Sequence, residues 1–507
     1  MSVKNPVLRG FHPDPSVCRV GEDYYLVNST FEFFPGVPVY HSKNLVNWQL
    51  CGHCLATPEQ LPLENCPTSR GIYAPTIRYH DGTFFMITTN KAHGGNFVVH
   101  ASDPRGPWSA PAWIDQGGID PSLMWDEDGK CYYCSTGQMD GHRATVAFQI
   151  DPFTGAILSE KHDLGVGCGG QCPEGPHLYR IGAWYYLLFA EGGTGYGHRV
   201  TIHRSKTVFG PYHAYAHNPI LTHMERKGDP IQATGHADLF EDQNGNWWLV
   251  CLGVRNFGPR LQLTLGRETF LAPVQWTPDG WPVVPGGHLT QELDQSRLPA
   301  PAAPQQFDFH LDMRAPAIDP RLIHLRNPHP ADYRLHDGAL LLHGRQPLDD
   351  PGCGSPTMLC LRQAEFCARA QAVVRTADLS AARAGLSVFQ NDCYHNDVYL
   401  SRQRDGTIAV GFARSVHDLK LECVRVPAPQ ADQVTLFVHA NRERYQFGYV
   451  DAAGQDVPLG SVTLPNLAQE SMGVANFTGV TLAVYAENGD AALLDYRVRF
   501  DGASCGE

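Results

Sequence analysis

Five stretches of this chain share one pattern, and their spacing limits the fold more than any other feature. They are "GFHPDPSVCRVGEDYYLV" (10–27), "APTIRYHDGTFFMITTN" (74–90), "DPSLMWDEDGKCYYCSTG" (120–137), "EGPHLYRIGAWYYLLFAEGG" (174–193) and "GHADLFEDQNGNWWLVCLG" (235–253). Each runs from a polar head through a short apolar strand and a Gly-containing turn into an aromatic-rich strand. The heads at 14, 74, 120, 174 and 236 lie 60, 46, 54 and 62 residues apart. Units of that length match four-stranded propeller blades, and five of them predict a five-bladed β-propeller over roughly the first 290 residues. Apolar residues alternate with polar ones over short runs, which excludes a helical repeat.

In a propeller the first strand of every blade faces the central axis, so equivalent positions converge there. Aligning the repeats on Val17, Ile77, Leu123 and Leu239 puts Asp14, Ala74, Asp120 and His236 in one register. Glu174 is offset, standing four residues before Leu178, and one added residue in a strand marks a bulge or bend that re-aims the side chain. Asp14 lies between Pro13 and Pro15, which have no N–H for a ladder, so it sits at the strand's end, ahead of a hairpin turning at Gly21-Glu22-Asp23. Three acids and an imidazole gathered at one end of an axis form a site: the like charges of the acids cost stability, and such clusters mark chemistry more than turns.

Composition narrows the partner. The chain has 507 residues, 43% of them hydrophobic, and a formal net charge of −13, which argues against nucleic acid or anionic lipid and for a neutral ligand. No apolar run is long enough for a membrane span. The start, "MSVKNPVLRG", has no secretory h-region, so a cytoplasmic location is expected. Fifteen cysteines without regular spacing point to reduced thiols. "CGHC" (51–54) follows a strand-like run with no βαβ context, so it is not expected to be a redox motif.

Several segments closely resemble the family 43 glycoside hydrolases, exo-acting β-xylosidases and α-L-arabinofuranosidases. They include "NPVLRGFHPDPSVCRVGEDYYLV", "STFEFFPGVPVYHSKNLVNW", "GIYAPTIRYHDGTF", "GIDPSLMWDEDGK", "PEGPHLY", "LLFAEGGTGYGH", "PIQATGHADL" and "LGRETFLAPV". The resemblance implies Asp14 as general base, Asp120 as orienting and pKa-modulating carboxylate, and Glu174 as general acid. It implies that His236 and Arg267 line the terminal-sugar subsite, with Phe31 and Tyr73 as aromatic walls. Tyr at 73, where relatives carry Trp or Tyr, leans toward the arabinofuranosidase subgroup. No cofactor is required; in some relatives the counterpart of His236 binds Ca²⁺ through water. The roles agree with inverting chemistry, in which one carboxylate activates water and an acid about 6.5–9.5 Å away protonates the leaving oxygen.

These readings divide the chain into a propeller (1–296), a Pro- and Ala-rich linker "RLPAPAAPQQ" (297–306) and a second unit (307–507). Segments such as "DVYLSRQRDGTIAVGFAR" and "QVTLFVHANRERYQFGYVD" alternate as antiparallel strands, which predicts a β-sandwich and makes the whole chain all-β. It resembles the concanavalin-like sandwich of family 43 β-xylosidases, in which a loop places a Phe at the active-site mouth. "NFTGVTLAVYA" nominates Phe477. The expected activity is inverting, exo-acting release of terminal pentoses, β-D-xylose or α-L-arabinofuranose, from xylan- or arabinan-derived oligosaccharides. An endo-arabinanase and a sugar-binding protein without catalysis are the alternatives, and a homo-oligomer is compatible with either.

Overall fold

The computed structural model describes residues 3–257, 261–348, 353–472 and 476–501. Among these residues the regular structure is β-strand with short 3₁₀ turns and no α-helix. Five antiparallel four-stranded units follow in chain order, and their first strands are Ser16–Val20, Thr76–His80, Ile119–Trp125, Glu174–Ile181 and Ile231–Glu241. The fourth unit carries one extra short strand, Leu221–Thr222. Each first strand packs beside the next, and the last packs beside the first, which closes a five-bladed propeller. The first hairpin turns on two residues, Gly21-Glu22, with Asp23 already paired to Val20 in the second strand.

Closure of the ring is sewn by the start of the chain. Val3 pairs with Leu293, Leu8 bridges Thr269, and the Asn5 side chain donates to the carbonyls of Leu271 and Thr290 at 2.9 and 3.0 Å. On the axis, the buried Asp238 of blade 5 accepts from Ser16 of blade 1, Arg78 of blade 2 and Tyr179 of blade 4, at 2.6, 2.7 and 2.7 Å. Burial alone would push the Asp238 carboxyl up; Arg78, His177 and the Ser16 hydroxyl outweigh it and hold it low. One carboxylate thus links four blades below the site.

The "CGHC" segment lies within the strand Gln49–Leu55. Burial pushes the Cys51 thiol up to about 11 and Cys54 higher still, opposite to what a redox pair needs. Cys367 departs from the expected reduced state: it is disulfide-bonded.

Beyond the linker, two antiparallel sheets stack as a sandwich. One is eight-stranded and centred on Gly489–Phe500 and Ala368–Arg375; the other is six-stranded and runs from Thr357–Arg362 to the edge strand Leu419–Pro427. Alternating burial in "ARAQAVVR" (368–375) shows why such segments pair as strands with one face inward. The two domains share structure. Phe33–Phe34 of the propeller pairs with His324–Leu325, and Phe11, Phe31 and Phe33 join Ile323, Phe389 and Tyr485 in one apolar cluster. Tyr73 and Phe477 pack on the rim of that cluster, so the domain junction is also the floor of the site.

Candidate active site

The heads of the first strands meet at one end of the axis. Asp14, Asp120 and His236 each stand three residues before the aligned apolar residues Val17, Leu123 and Leu239, with φ of 52°, 54° and 47°. In blade 4 that place is taken by Gly175, φ 57°, and Glu174 precedes it. The ladder slips between Glu174 and His177, yet it slips equally between Ile119 and Ser122. The bend is therefore shared by blades 3 and 4, and the offset of Glu174 is a shift of one position along it. Glycine suits 175 because a Cβ there would meet the His236 ring at 3.0 Å; its φ is one that Asp14, Asp120 and His236 also adopt.

One cavity of about 320 Å³ is lined by Asp14, Phe31, Tyr73, Asp120, Glu174, His236, Arg267 and Phe477, which brings every sequence-nominated side chain together. Asp14 is 5% exposed. Its Oδ2 accepts from the Ser29 hydroxyl at 2.6 Å and its Oδ1 from Arg267 Nη1 at 3.0 Å. Burial would raise this carboxyl; Arg267, His236 at 3.8 Å and the Ser29 bond overcome it and hold Asp14 below the ordinary carboxylate range. Arg267 does not pair with its neighbour Glu268, which is held by Arg255 and by the Gly10 N–H.

The other two carboxyls go the opposite way. Burial first, then the charges of Glu174 and Asp14, push Asp120 well above its usual range, against a Gly175 N–H bond of 3.0 Å and the Arg267 charge. Glu174 is raised by burial and by Asp14, with Arg143 and Arg267 opposing. Asp120 and Glu174 each make ionisation of the other harder, so the pair keeps a proton that Asp14 gives up easily.

Three aromatic rings form the wall. Phe31 lies 5.6 Å from Tyr73 and 5.7 Å from Phe477, and Tyr73 and Phe477 are 6.1 Å apart and perpendicular. Arg267 lies over both Phe31 and Phe477, and its Nη2 donates to the Phe477 carbonyl at 3.3 Å. The propeller's cation thus joins the sandwich's loop to the carboxylate of blade 1.

Sequence reasoning missed Ser29, Arg70, Cys172, Thr194 and His198, of which the last four line the cavity. His198 and Thr194 fall within or beside the "LLFAEGGTGYGH" segment, the one signal that could have found them. His198 Nδ1 lies 3.1 Å from the Ala233 carbonyl, which assigns its proton there, and burial lowers the imidazole to about 4. It is neutral, with Nε2 over Gly235, where a Cβ would come within 2.4 Å. Among the described residues no group of three or more His, Cys, Asp or Glu side chains is arranged to hold a metal ion. His236 faces Asp14, Arg267 and Gly175.

Comparison with known proteins agrees with this architecture. Residues 3–282 match the family model for Glycosyl hydrolases family 43, and residues 311–496 match that for the Beta xylosidase C-terminal Concanavalin A-like domain. A non-reducing end alpha-L-arabinofuranosidase of Bacteroides ovatus is 41% identical over 96% of this chain and 92% of its own length. A xylosidase/arabinosidase of Butyrivibrio fibrisolvens is 36% identical over 96% of this chain and 95% of its own. The solved structure of Bacteroides ovatus Xyloglucan PUL GH43B superposes with a TM-score of 0.92 at 38% identity, covering 99% of this chain and all of that one. With a propeller that carries three axial carboxylates and a concanavalin-like sandwich that closes their pocket, this chain belongs to glycosyl hydrolase family 43.

Proposed function

We propose that the protein is an inverting exo-glycosidase that removes single terminal pentoses, β-D-xylose or α-L-arabinofuranose, from neutral xylan- or arabinan-derived oligosaccharides. The observation that carries this reading is the split in proton affinity across one small pocket. Asp14 is held ionised while Asp120 and Glu174 are held toward the protonated form, as a base and an acid working at one pH require. In this reading Asp14 takes a proton from water as the water attacks the anomeric carbon. Glu174 gives its proton to the departing glycosidic oxygen, and Asp120, which competes with Glu174 for the pair's proton, sets how tightly Glu174 keeps it. Arg267 and the Ser29 hydroxyl fix the Asp14 carboxylate without touching the leaving group.

The pocket's shape supports attack on chain ends. About 320 Å³ is at the small end of small-molecule sites, which run from ~300 to ~1,000 Å³. Phe477 of the sandwich covers one side, where an endo-acting enzyme needs an open groove. The names of the two relatives, an arabinofuranosidase and a xylosidase/arabinosidase, agree with a pentose. The reaction as written needs no cofactor. Assay of 4-nitrophenyl α-L-arabinofuranoside and β-D-xyloside side by side, with early proton NMR of the released sugar, tests it. Hydrolysis of at least one with inverted anomeric configuration is expected; a retained configuration removes Asp14 from the role of base.

A further inference from the structure

A buried carboxylate with no part in the chemistry stands behind the aromatic wall. Glu32 follows Phe31 in sequence and is fully buried. Its Oε2 accepts the Ser69 N–H at 2.9 Å, and the Ser69 hydroxyl in turn accepts the Phe477 N–H at 2.8 Å. On the main chain, Phe31 and Ile72 exchange N–H···O bonds of 2.9 and 3.0 Å, and Tyr73 follows Ile72. The Glu32 carbonyl accepts the N–H of Arg326 from the sandwich at 2.7 Å. One residue is therefore bonded, directly or through Ser69, to the segments that carry all three rings.

Stability alone gives a poor account of a carboxylate here. Its Oε1 is buried without a hydrogen-bond partner, which costs stability. The nearby guanidinium of Arg326 is engaged elsewhere, by both oxygens of Asp392 at 3.0 and 2.7 Å and by the carbonyls of Cys66 and Gly354. Burial pushes the Glu32 carboxyl up to about 7. Ser69, at φ 58°, holds a left-handed backbone that is uncommon for a residue with a Cβ, and the Glu32 bond fixes its N–H in that conformation. The hydroxyl then lies where the Phe477 N–H needs an acceptor, and no other acceptor for that N–H is found among the described residues.

We propose that Glu32 and Ser69 are positioning residues for the sugar pocket: the Glu32–Ser69–Phe477 chain of hydrogen bonds holds the sandwich's aromatic ring against those of the propeller. This rests on the pentosidase reading above for its kinetic test. Losing one such bond is worth about 1 kcal/mol, so Ser69→Ala should raise KM for the 4-nitrophenyl pentoside about five- to tenfold, with kcat within about twofold. Since Ser69 acts through Phe477, Ser69→Ala combined with Phe477→Ala should be no worse than Phe477→Ala alone. Glu32→Ala should resemble Ser69→Ala, and Glu32→Gln, which keeps an acceptor for the Ser69 N–H, should restore most of the loss. An unchanged KM in Ser69→Ala, or a loss that adds fully to that of Phe477→Ala, overturns the proposal, and Ser69→Ala decides it even where Glu32→Ala does not fold. If the wild type cleaves neither pentoside, the functional reading fails by itself. A crystal structure of Ser69→Ala then decides the positioning claim: Phe477 displaced from Phe31 and Tyr73 supports it, and Phe477 in place overturns it.

Discussion

Asp14 at the head of blade 1 and Asp120 at the head of blade 3 are the same residue type at the same place in the repeat. Both precede Pro and Ser, both have φ just above 50°, and both are about 5% exposed. Their proton affinities nevertheless move in opposite directions. Burial raises both. What separates them is the company: Asp14 is bonded by the Arg267 guanidinium and the Ser29 hydroxyl and faces an imidazole, whereas Asp120 meets two carboxylates, opposed by one backbone N–H and, behind it, the charge of Arg267. The repeat places a carboxylate on the axis, and residues from other blades decide which proton chemistry it does.

That contrast breaks most sharply when Asp14 and Glu174 are removed in turn. Asp14→Ala should lower turnover of both 4-nitrophenyl pentosides and oligosaccharides by around 10²–10⁴-fold, since attack by water is needed whatever departs. Added azide should partly restore the activated substrate, because a small anion attacks without a base. Glu174→Ala should lose a similar factor on oligosaccharides and far less on 4-nitrophenyl substrates, whose leaving group needs little protonation. Equal losses for both variants on both substrates would show the assignment of acid and base to be wrong.

Glu32 extends the comparison to a third buried carboxylate, one outside the pocket. It faces Arg326, Asp392, Cys66 and Tyr73, and burial dominates. Its value of about 7 when folded lies above the ordinary 4.5, so the proton it holds favours the folded state fully below pH 4.5. That contribution is lost as pH rises through 7. Relative to Glu32→Gln, the wild type should therefore lose about 3 kcal/mol between pH 4.5 and pH 8, read as the difference in denaturant unfolding between the two proteins. A difference that does not change with pH would mean that Glu32 is paired by a charge the structure does not show.

The smallest effect should come from Asp120. Asp120→Asn takes one negative charge from the coupled pair, so Glu174 should release its proton at lower pH and the alkaline limb of kcat should move down. The acid limb, set by Asp14, should stay below the ordinary carboxylate range. A loss of about tenfold at neutral pH is expected, smaller than the ~10²–10⁴-fold of losing a general acid outright. A fixed alkaline limb would separate Asp120 from Glu174 and leave it only an orienting role.

How much of this could be read from the chain depends on the distance each feature spans. The blades were legible because a strand and its hairpin partner are local, and period-two alternation marks which face turns inward. Asp14, Asp120, Glu174 and His236 were legible because a repeat puts equal positions on one axis. The bend at 174 was read as peculiar to blade 4, and only the structure shows the same slip at Ile119. Phe31, Tyr73, Arg267 and Phe477 were found through family resemblance, since aromatic and basic residues off the repeat carry no periodic signal. Ser29 and His198 escaped, being polar residues in loops with nothing in their spacing to mark them.

By itself, then, the sequence determined five axial strand heads, a sandwich after a linker, and a cluster of acids that must repel. It did so because alternation, turn residues and repeat length act over a few tens of residues. Only the tertiary structure decided which acid ionises. The Arg267–Asp14 contact joins residues 253 apart and the Ser69–Phe477 bond joins residues 408 apart, across two blades and two domains. Proton affinity in a buried site depends on charges within a few ångströms, and no local pattern in a chain encodes a neighbour that arrives only on folding.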